Sequence, residues 1–198
     1  MKQPDRAASV SLMRRGIELF VAGIAAGAVD APGARAMAGT PARVAAAWSR
    51  DLLAGYSQDP AAILAPLDER SSKGLVAVRD ISFTSICMHH LLPFQGKAHV
   101  AYAPNGRIVG LSRLARLVDC LSRRLQLQEL LGNQIAEAIQ KHLEPLGAAC
   151  LLEASHACVG ARGARKTGSR IVTAAFAGEF RTSAARRREV LAILRSSG

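Results

Sequence analysis

Aromatic side chains are scarce in this chain. Phe, Trp and Tyr make up 4% of its 198 residues, too few for the stacking platforms on which single-stranded nucleic acid and RNA are read. Cysteine is sparse as well. Cys87, Cys120, Cys150 and Cys158 are the only four, too few and too irregularly spaced for a disulfide framework in a domain of this size, which points to a reducing, cytoplasmic compartment. Cys120 and Cys150 lie among apolar neighbours and read as inert core. No phosphate-cradling glycine loop of the nucleotide-fold type occurs, and neither an internal repeat nor a low-complexity linker divides the chain. A membrane-length apolar run is also missing. The run from Leu19 to Val29 follows a basic stretch and imitates a secretory signal. However, Glu18 abuts it, Asp30 closes it, Gly16, Gly23 and Gly27 soften it, and no small-x-small cleavage site follows. It falls well short of the roughly 20 residues that a span requires. A helix packed on a partner subunit is the expectation there.

What is present is a globular composition, 49% hydrophobic and 21% charged, long enough for one domain with a sizeable core. The net charge is +11, which calls for an anionic partner. The scarce aromatics weigh against nucleic acid, and phosphorylated small molecules and a membrane surface stay open on composition alone. The arginines are spread over Arg113, Arg116, Arg123, Arg124, Arg162, Arg165 and Arg170, and the run Arg186 to Arg188 reads as a solvated helix face.

Two segments carry chemistry. Thr84 to Gly96, TSICMHHLLPFQG, places Cys87 three residues before His90, and Glu153 to Gly163, EASHACVGARG, supplies His156 and Cys158. Zinc takes thiolate sulfur and imidazole nitrogen, and a catalytic zinc keeps three protein ligands and one open position. Cys87, His90 and Cys158 make that set. A closed structural site wants four ligands, and spacing leaves His89 and His156 open as the fourth. A lone Cys-x-x-His pair is often coincidence, with the cysteine a small buried hydrophobe; the second segment weighs against that reading.

Periodicity and punctuation predict the elements. Thr40 as N-cap with Pro41 after it opens a helix to about Leu53, with Val44, Trp48 and Leu52 facing the core. A short helix is expected from Pro60 to about Glu69, followed by the SSKG turn. Strands are predicted over 75–83 and 97–103, the latter with Ala98, Val100 and Tyr102 on one face, then a hairpin extension over 107–111. Ser112 is expected to cap a helix with a Leu114, Leu117, Val118, Leu121, Leu125 stripe, and a second helix spans 126–143 with Leu127, Leu131, Ile135 and Ile139. Strands over 148–154 and 170–180 and a helix from Ala184 complete the chain. The order strand, strand, helix, helix, strand, strand predicts an α+β fold: an antiparallel four-stranded sheet with an inserted helix pair, plus N-terminal helices.

The stretches SICMHHLLPFQGKAHVAYAPNGRIVGLSRLARLVD, RRLQLQELLGNQIAEAI and EASHACVGARG, in that order, resemble GTP cyclohydrolase I. The likeness covers nearly all of residues 75 to 181, with a weaker echo at Gly39 to Trp48, and sets residues 39–198 as the enzyme-like domain behind an N-terminal extension, 1–38. The resemblance implies a tunnelling fold and a homodecamer with active sites at subunit interfaces. It implies zinc-dependent hydrolysis of GTP at C8, release of formate and closure to 7,8-dihydroneopterin triphosphate, an entry step to folate and one-carbon metabolism. Carried over by position, the ligands of one Zn²⁺ per subunit fall on Cys87, His90 and Cys158, and the acid/base histidines on His89 and His156. Guanine recognition falls on Gln128 and Glu129, and triphosphate contacts on Ser112, Arg113, Arg116 and Arg162. His99 and His142 match no catalytic position and read as surface or packing residues.

The chain departs from the family pattern in three places. Met88 stands where the family usually has glutamate, Arg113 replaces a lysine, and the AMAG segment before Thr40 lacks the usual charges. Two other readings therefore stand beside the cyclohydrolase: a divergent paralogue that opens the guanine ring to another product, and a zinc-binding homologue without turnover.

Overall fold

The computed structural model describes residues 6–27, 37–68 and 74–195. The predicted close of the apolar run at Val29 and Asp30, and Ser71 to Lys73 of the SSKG turn, lie outside them. The chain divides into two compact units, Met1–Ala54 and Gly55–Gly198.

In the first unit, α1 (Arg6–Gly27) packs on α2 (Thr40–Ala47), which passes into a π-helical turn over Trp48–Leu52. Among the described residues no helix is long and apolar enough to cross a membrane. The predicted helix to Leu53 is thus real in extent but changes pitch, and Leu53 N–H donates five residues back to Trp48 O at 2.9 Å. Gly39 takes the N-cap position instead of Thr40, whose hydroxyl accepts from Arg43 Nη2 at 3.0 Å. Pro41 and Ala45 are the buried residues of α2, while the predicted stripe Val44, Trp48 and Leu52 is half-buried.

In the second unit a 3-10 turn ending at Ser57 precedes a single helical turn, α3 (Pro60–Ile63), capped by Asp59, whose carboxylate accepts from Ala61 N–H at 3.0 Å. The helix expected to reach Glu69 stops here. Pro66 disfavours helical backbone at Ala65 and cannot donate to a continuing ladder, and Leu67–Asp68 instead forms β1. Its partner is β4 (Arg107–Ile108), so the expected hairpin extension belongs to a separate two-stranded ribbon.

The main sheet has five strands in the order β5-β2-β3-β6-β7. The four long ones, β2 (Val76–Cys87), β3 (Pro93–Ala103), β6 (Gly147–His156) and β7 (Ile171–Gly178), run antiparallel. The fifth, β5 (Leu125–Gln126), lies parallel to the end of β2 through Ile86 and Cys87. It is the one departure from the predicted four-stranded sheet. Helices α4 (Leu111–Ser122) and α5 (Gln128–Leu143) enter between β3 and β6 as predicted. Gly110, not Ser112, is the N-cap of α4, and Leu125 has left the helix for β5.

The core explains the apolar patterning. On one face Phe83, Phe94, Ala98, Val100 and Tyr102 pack with Leu114, Leu117, Leu121, Leu131, Ile135 and Ile139 of α4 and α5. On the other, Ala101, Ala103, Ala149 and Leu151 meet Phe180, Val190 and Leu194, which come from α7 (Glu179–Thr182) and α8 (Ala184–Arg195). Strand β6 is covered on both faces, and so reads as a continuous apolar run rather than an alternating one.

A bulge breaks the β2–β3 register between Val78 and Ile81, where Asp80 adopts a positive φ of 58°. Asp80 N–H donates to His99 Nδ1 at 3.3 Å. Burial lowers the His99 pKa, opposed in turn by Asp80, while Arg79 reinforces it, Glu153 opposes it and Lys97 reinforces it. The unfolded chain therefore takes up the proton more readily. The stability contributed by neutral His99 is full above about pH 6.5 and is lost as pH falls from there through the lowered folded value. His99→Asn keeps an acceptor for Asp80 N–H but cannot titrate. Urea unfolding at about pH 7.5 and 5.5 should show a smaller loss of stability on acidification in the variant than in the parent.

Candidate active site

The site is built where β2 and β6 end. Strand β2 continues past its predicted limit at Phe83 to Cys87, and the chain reverses through Met88 to Leu92 into β3. Cys87 closes this turn from both of its backbone groups: its N–H donates to Leu92 O at 2.9 Å and its carbonyl accepts from Leu91 N–H at 2.8 Å. Leu91 sits at φ 55°, a left-handed conformation that costs a non-glycine residue about 1–3 kcal/mol and persists only where its surroundings hold it. Met88 N–H donates to Gln126 O at 3.0 Å, which ties the turn to β5. Cys87 is buried, while Met88, His89 and His90 are exposed at the tip.

Across the sheet, β6 delivers His156 as the N-cap residue of a single helical turn, α6 (Ala157–Gly160), which carries Cys158. One ligand atom each from Cys87, His90 and Cys158 lies within 4.8 Å of the others. Cys87 Sγ and His90 Nδ1 are 3.7 Å apart, close to the roughly 3.6 Å that tetrahedral coordination at standard Zn–S and Zn–N lengths would set. Two thiols and one imidazole on this spacing fit a zinc with one position open. The Cys158 thiol is pushed up by burial, then by Cys87 alongside it, and Arg162 pulls it back down. A bound dication would favour the thiolate form of Cys158 against this upward push.

His156 is held on three sides. Its ring stacks on Phe94, centroids 4.5 Å apart and planes 10° from parallel, and the two residues are register partners in the β3–β6 ladder. Its Nε2 lies 2.7 Å from Gln128 Oε1. Burial lowers its pKa and nearby Glu129 raises it. Gln128, which sequence alone would place on a solvated helix face, is 1% exposed. Its Nε2 reaches Leu152 O at 3.2 Å, Ile171 O at 2.9 Å and Thr173 Oγ1 at 3.1 Å. Neither Phe94 nor this role of Gln128 is readable from spacing. The sequence trace of Phe94 is its place four residues past the His90 tip.

The structure thus brings together Cys87, His90, Cys158, His156 and Gln128, with Glu129 and Arg162 within electrostatic reach and His89 beside His90 at 6.2 Å between ring centroids. Arg113 and Arg116 are elsewhere. They line a cavity of about 520 Å³ with Gln58, Asp59, Ala62, Ile63, Asp119 and Arg123, and share it with no member of the metal cluster. Arg113 Nη1 donates to Ile63 O and Ala65 O, both at 3.3 Å. Ser112 is exposed on the first turn of α4.

The family profile of GTP cyclohydrolase I matches residues 21–195. The chain belongs to the GTP cyclohydrolase I family. It is 46% identical over 156 residues to a GTP cyclohydrolase 1 of Acetivibrio thermocellus, covering 78% of this chain and 83% of that one. With a GTP cyclohydrolase 1 of Brucella anthropi it shares 43% identity over 188 residues, 91% and 88% of the two chains. The crystal structure of the archaeosine synthase QueF-Like in its apo form is matched at 17% identity with a TM-score of 0.43, over 56% of this chain and 97% of that one; the assignment does not rest on it. Met88 stands where the resemblance leads to the expectation of a glutamate. Met88 is 37% exposed, and the turn's anchor to β5 runs through its backbone N–H, so this hydrogen bond does not depend on the side chain at position 88.

Proposed function

We propose that this protein is a zinc-dependent GTP cyclohydrolase that hydrolyses GTP at C8, releases formate and forms 7,8-dihydroneopterin triphosphate. The observation that carries the reading is the convergence of Cys87, His90 and Cys158 with His156 directly beside them. Cys87, His90 and Cys158 would hold one Zn²⁺ per subunit, and the chemistry zinc supplies when bound is activation of water near neutral pH. His156 and His89 move protons to and from the purine and the ribose, work to which imidazole, with a donor and an acceptor nitrogen in one ring, is suited. Guanine recognition is assigned to the start of α5, where Glu129 is exposed behind the buried Gln128. A carboxylate accepts from the two neighbouring N–H donors of guanine. Ser112, Arg113, Arg116 and Arg162 bind the triphosphate, with the arginines as donors to its oxygens.

The lack of shared residues between the arginine-lined cavity and the metal cluster of one chain supports a site completed between subunits, in a homodecamer of the tunnelling fold. The enzyme domain is taken as residues 39–198, with 1–38 as an extension, and the setting is cytoplasmic one-carbon metabolism. The test is to incubate the zinc-loaded protein with GTP and follow formate together with the fluorescent neopterin obtained after oxidation. Both products are expected. Formate without neopterin would assign the divergent-paralogue reading that Met88 favours, and neither product would leave a zinc-binding protein without turnover.

A further inference from the structure

We infer that Gln128 is a positioning residue that decides which nitrogen of His156 carries the proton, and that it does not read the guanine base. The inference rests on the assignment of His156 to proton transfer. It starts from an amide that cannot turn over. Leu152 O and Ile171 O are carbonyl oxygens, which only accept, and both lie within hydrogen-bond distance of Gln128 Nε2 together with Thr173 Oγ1. Exchanging the amide oxygen and nitrogen would set oxygen against the Leu152 and Ile171 carbonyls around a side chain that is 1% exposed, two contacts with no hydrogen on either side; the Thr173 hydroxyl could follow such an exchange, the carbonyls could not. The nitrogen therefore faces β6 and β7, and the oxygen is committed to the other side.

On that side stands His156 Nε2, 2.7 Å from Gln128 Oε1. An amide oxygen accepts and never donates, so the hydrogen between them belongs to the imidazole. Neutral His156 is then the Nε2–H tautomer, and its lone pair is on Nδ1. The stacked Phe94 ring fixes the plane of the imidazole and the β3–β6 register fixes its backbone. With plane, position and tautomer all set, Nδ1 is the nitrogen left to meet a reacting group. The amide does this from the first residue of α5 while joining it to Leu152 of β6 and to Ile171 and Thr173 of β7. A guanine reader needs free donors or acceptors at an accessible surface, and Gln128 has neither the exposure nor an uncommitted amide hydrogen.

Two measurements test this on the full zinc-loaded chain. With ring-¹⁵N-labelled histidine, solid-state NMR at about pH 8, where an imidazole is neutral, should place the His156 proton on Nε2, with His156→Ala identifying the signal. A proton on Nδ1 would overturn the inference. In kinetics, Gln128→Met fills the same volume without the hydrogen bonds. It should lower kcat for formate release by about 10-fold or more, leave KM for GTP within about 3-fold, and preserve the preference for GTP over ITP, which lacks the 2-amino group. A raised KM at unchanged kcat, or loss of the GTP preference, would make Gln128 a base reader and sink the proposal. If the parent protein released no formate from GTP, the cyclohydrolase reading would fall, while the NMR measurement would still judge the proton position. That measurement also needs no folded variant at position 128.

Discussion

Replacing Cys158 with serine is expected to remove the metal and the activity together. Of the three proposed ligands, Cys158 alone comes from the β6 side of the site, and Cys87 and His90 both come from one turn at the end of β2. A serine hydroxyl is not ionised near neutral pH and is a hard donor where zinc favours thiolate, so the remaining pair would hold the ion as a two-residue clip. Zinc content measured by mass spectrometry should fall from about one per chain towards zero. Formate release should drop by more than the roughly 10–100-fold typical of losing a ligand's hydrogen-bonding partner. His156→Ala is the discriminating companion. Its Nε2 is engaged by Gln128 and its ring by Phe94, so the zinc should stay bound while activity falls by about 10²–10⁴-fold, the range of a lost acid/base group. Loss of zinc from His156→Ala would mean that the imidazole is a ligand.

Gly96→Val is expected to be the most damaging change outside the metal cluster. Gly96 faces Ala154 in the β3–β6 ladder, and a Cβ on it would fall onto the Glu153 carbonyl oxygen and 2.6 Å from Ala154 Cα. Both neighbours are backbone, so relief requires β3 and β6 to separate. Phe94 and His156, which the ladder places face to face, lie two residues away on either strand. A loss of about 3–5 kcal/mol is expected from a clash of this kind, which corresponds to a fall of about 10 °C or more in the midpoint of thermal unfolding for a chain of this length. Gly168→Ala, at a position with open space around it, serves as the control and should leave the midpoint unchanged.

What was legible in the sequence followed from chemistry that marks its own residues. Thiols and imidazoles on ligand spacing pointed to Cys87, His90 and Cys158 without any knowledge of the fold, and the structure brings those three together. Helices α4 and α5 were legible because Leu114, Leu117 and Leu121 and then Leu131, Ile135 and Ile139 repeat at helical spacing, and all six are buried. The pairing of β1 with β4 was not legible, because a two-residue strand has no periodicity to show. Pro66 was the available hint that the helix at Pro60 would stop early. The role of Gln128 was hidden for a different reason. A polar residue at a helix start is normally solvated, and its burial depends on acceptors on two strands that arrive 24 to 45 positions later.

The short parallel strand β5 has a consequence for how the length of this chain can vary. The link between α4 and α5 is tied down at nearly every residue. Arg123 O accepts from Gly55 N–H at 3.0 Å, Arg124 Nε donates to Gly55 O at 3.1 Å, Arg124 O accepts from Ser85 Oγ at 3.4 Å, and Gln126 O holds the Met88 turn. Two residues further on, Gln128 holds His156. One added residue here would move the metal turn and the histidine against each other, since the same few positions index both. The stretch 161–170 is exposed throughout, and Arg170 reaches β6 through a surface ion pair with Glu153 at 2.9 Å. Insertions and deletions should therefore accumulate between Cys158 and β7 and be nearly absent between α4 and α5, so the five-residue connector works as a ruler for the site.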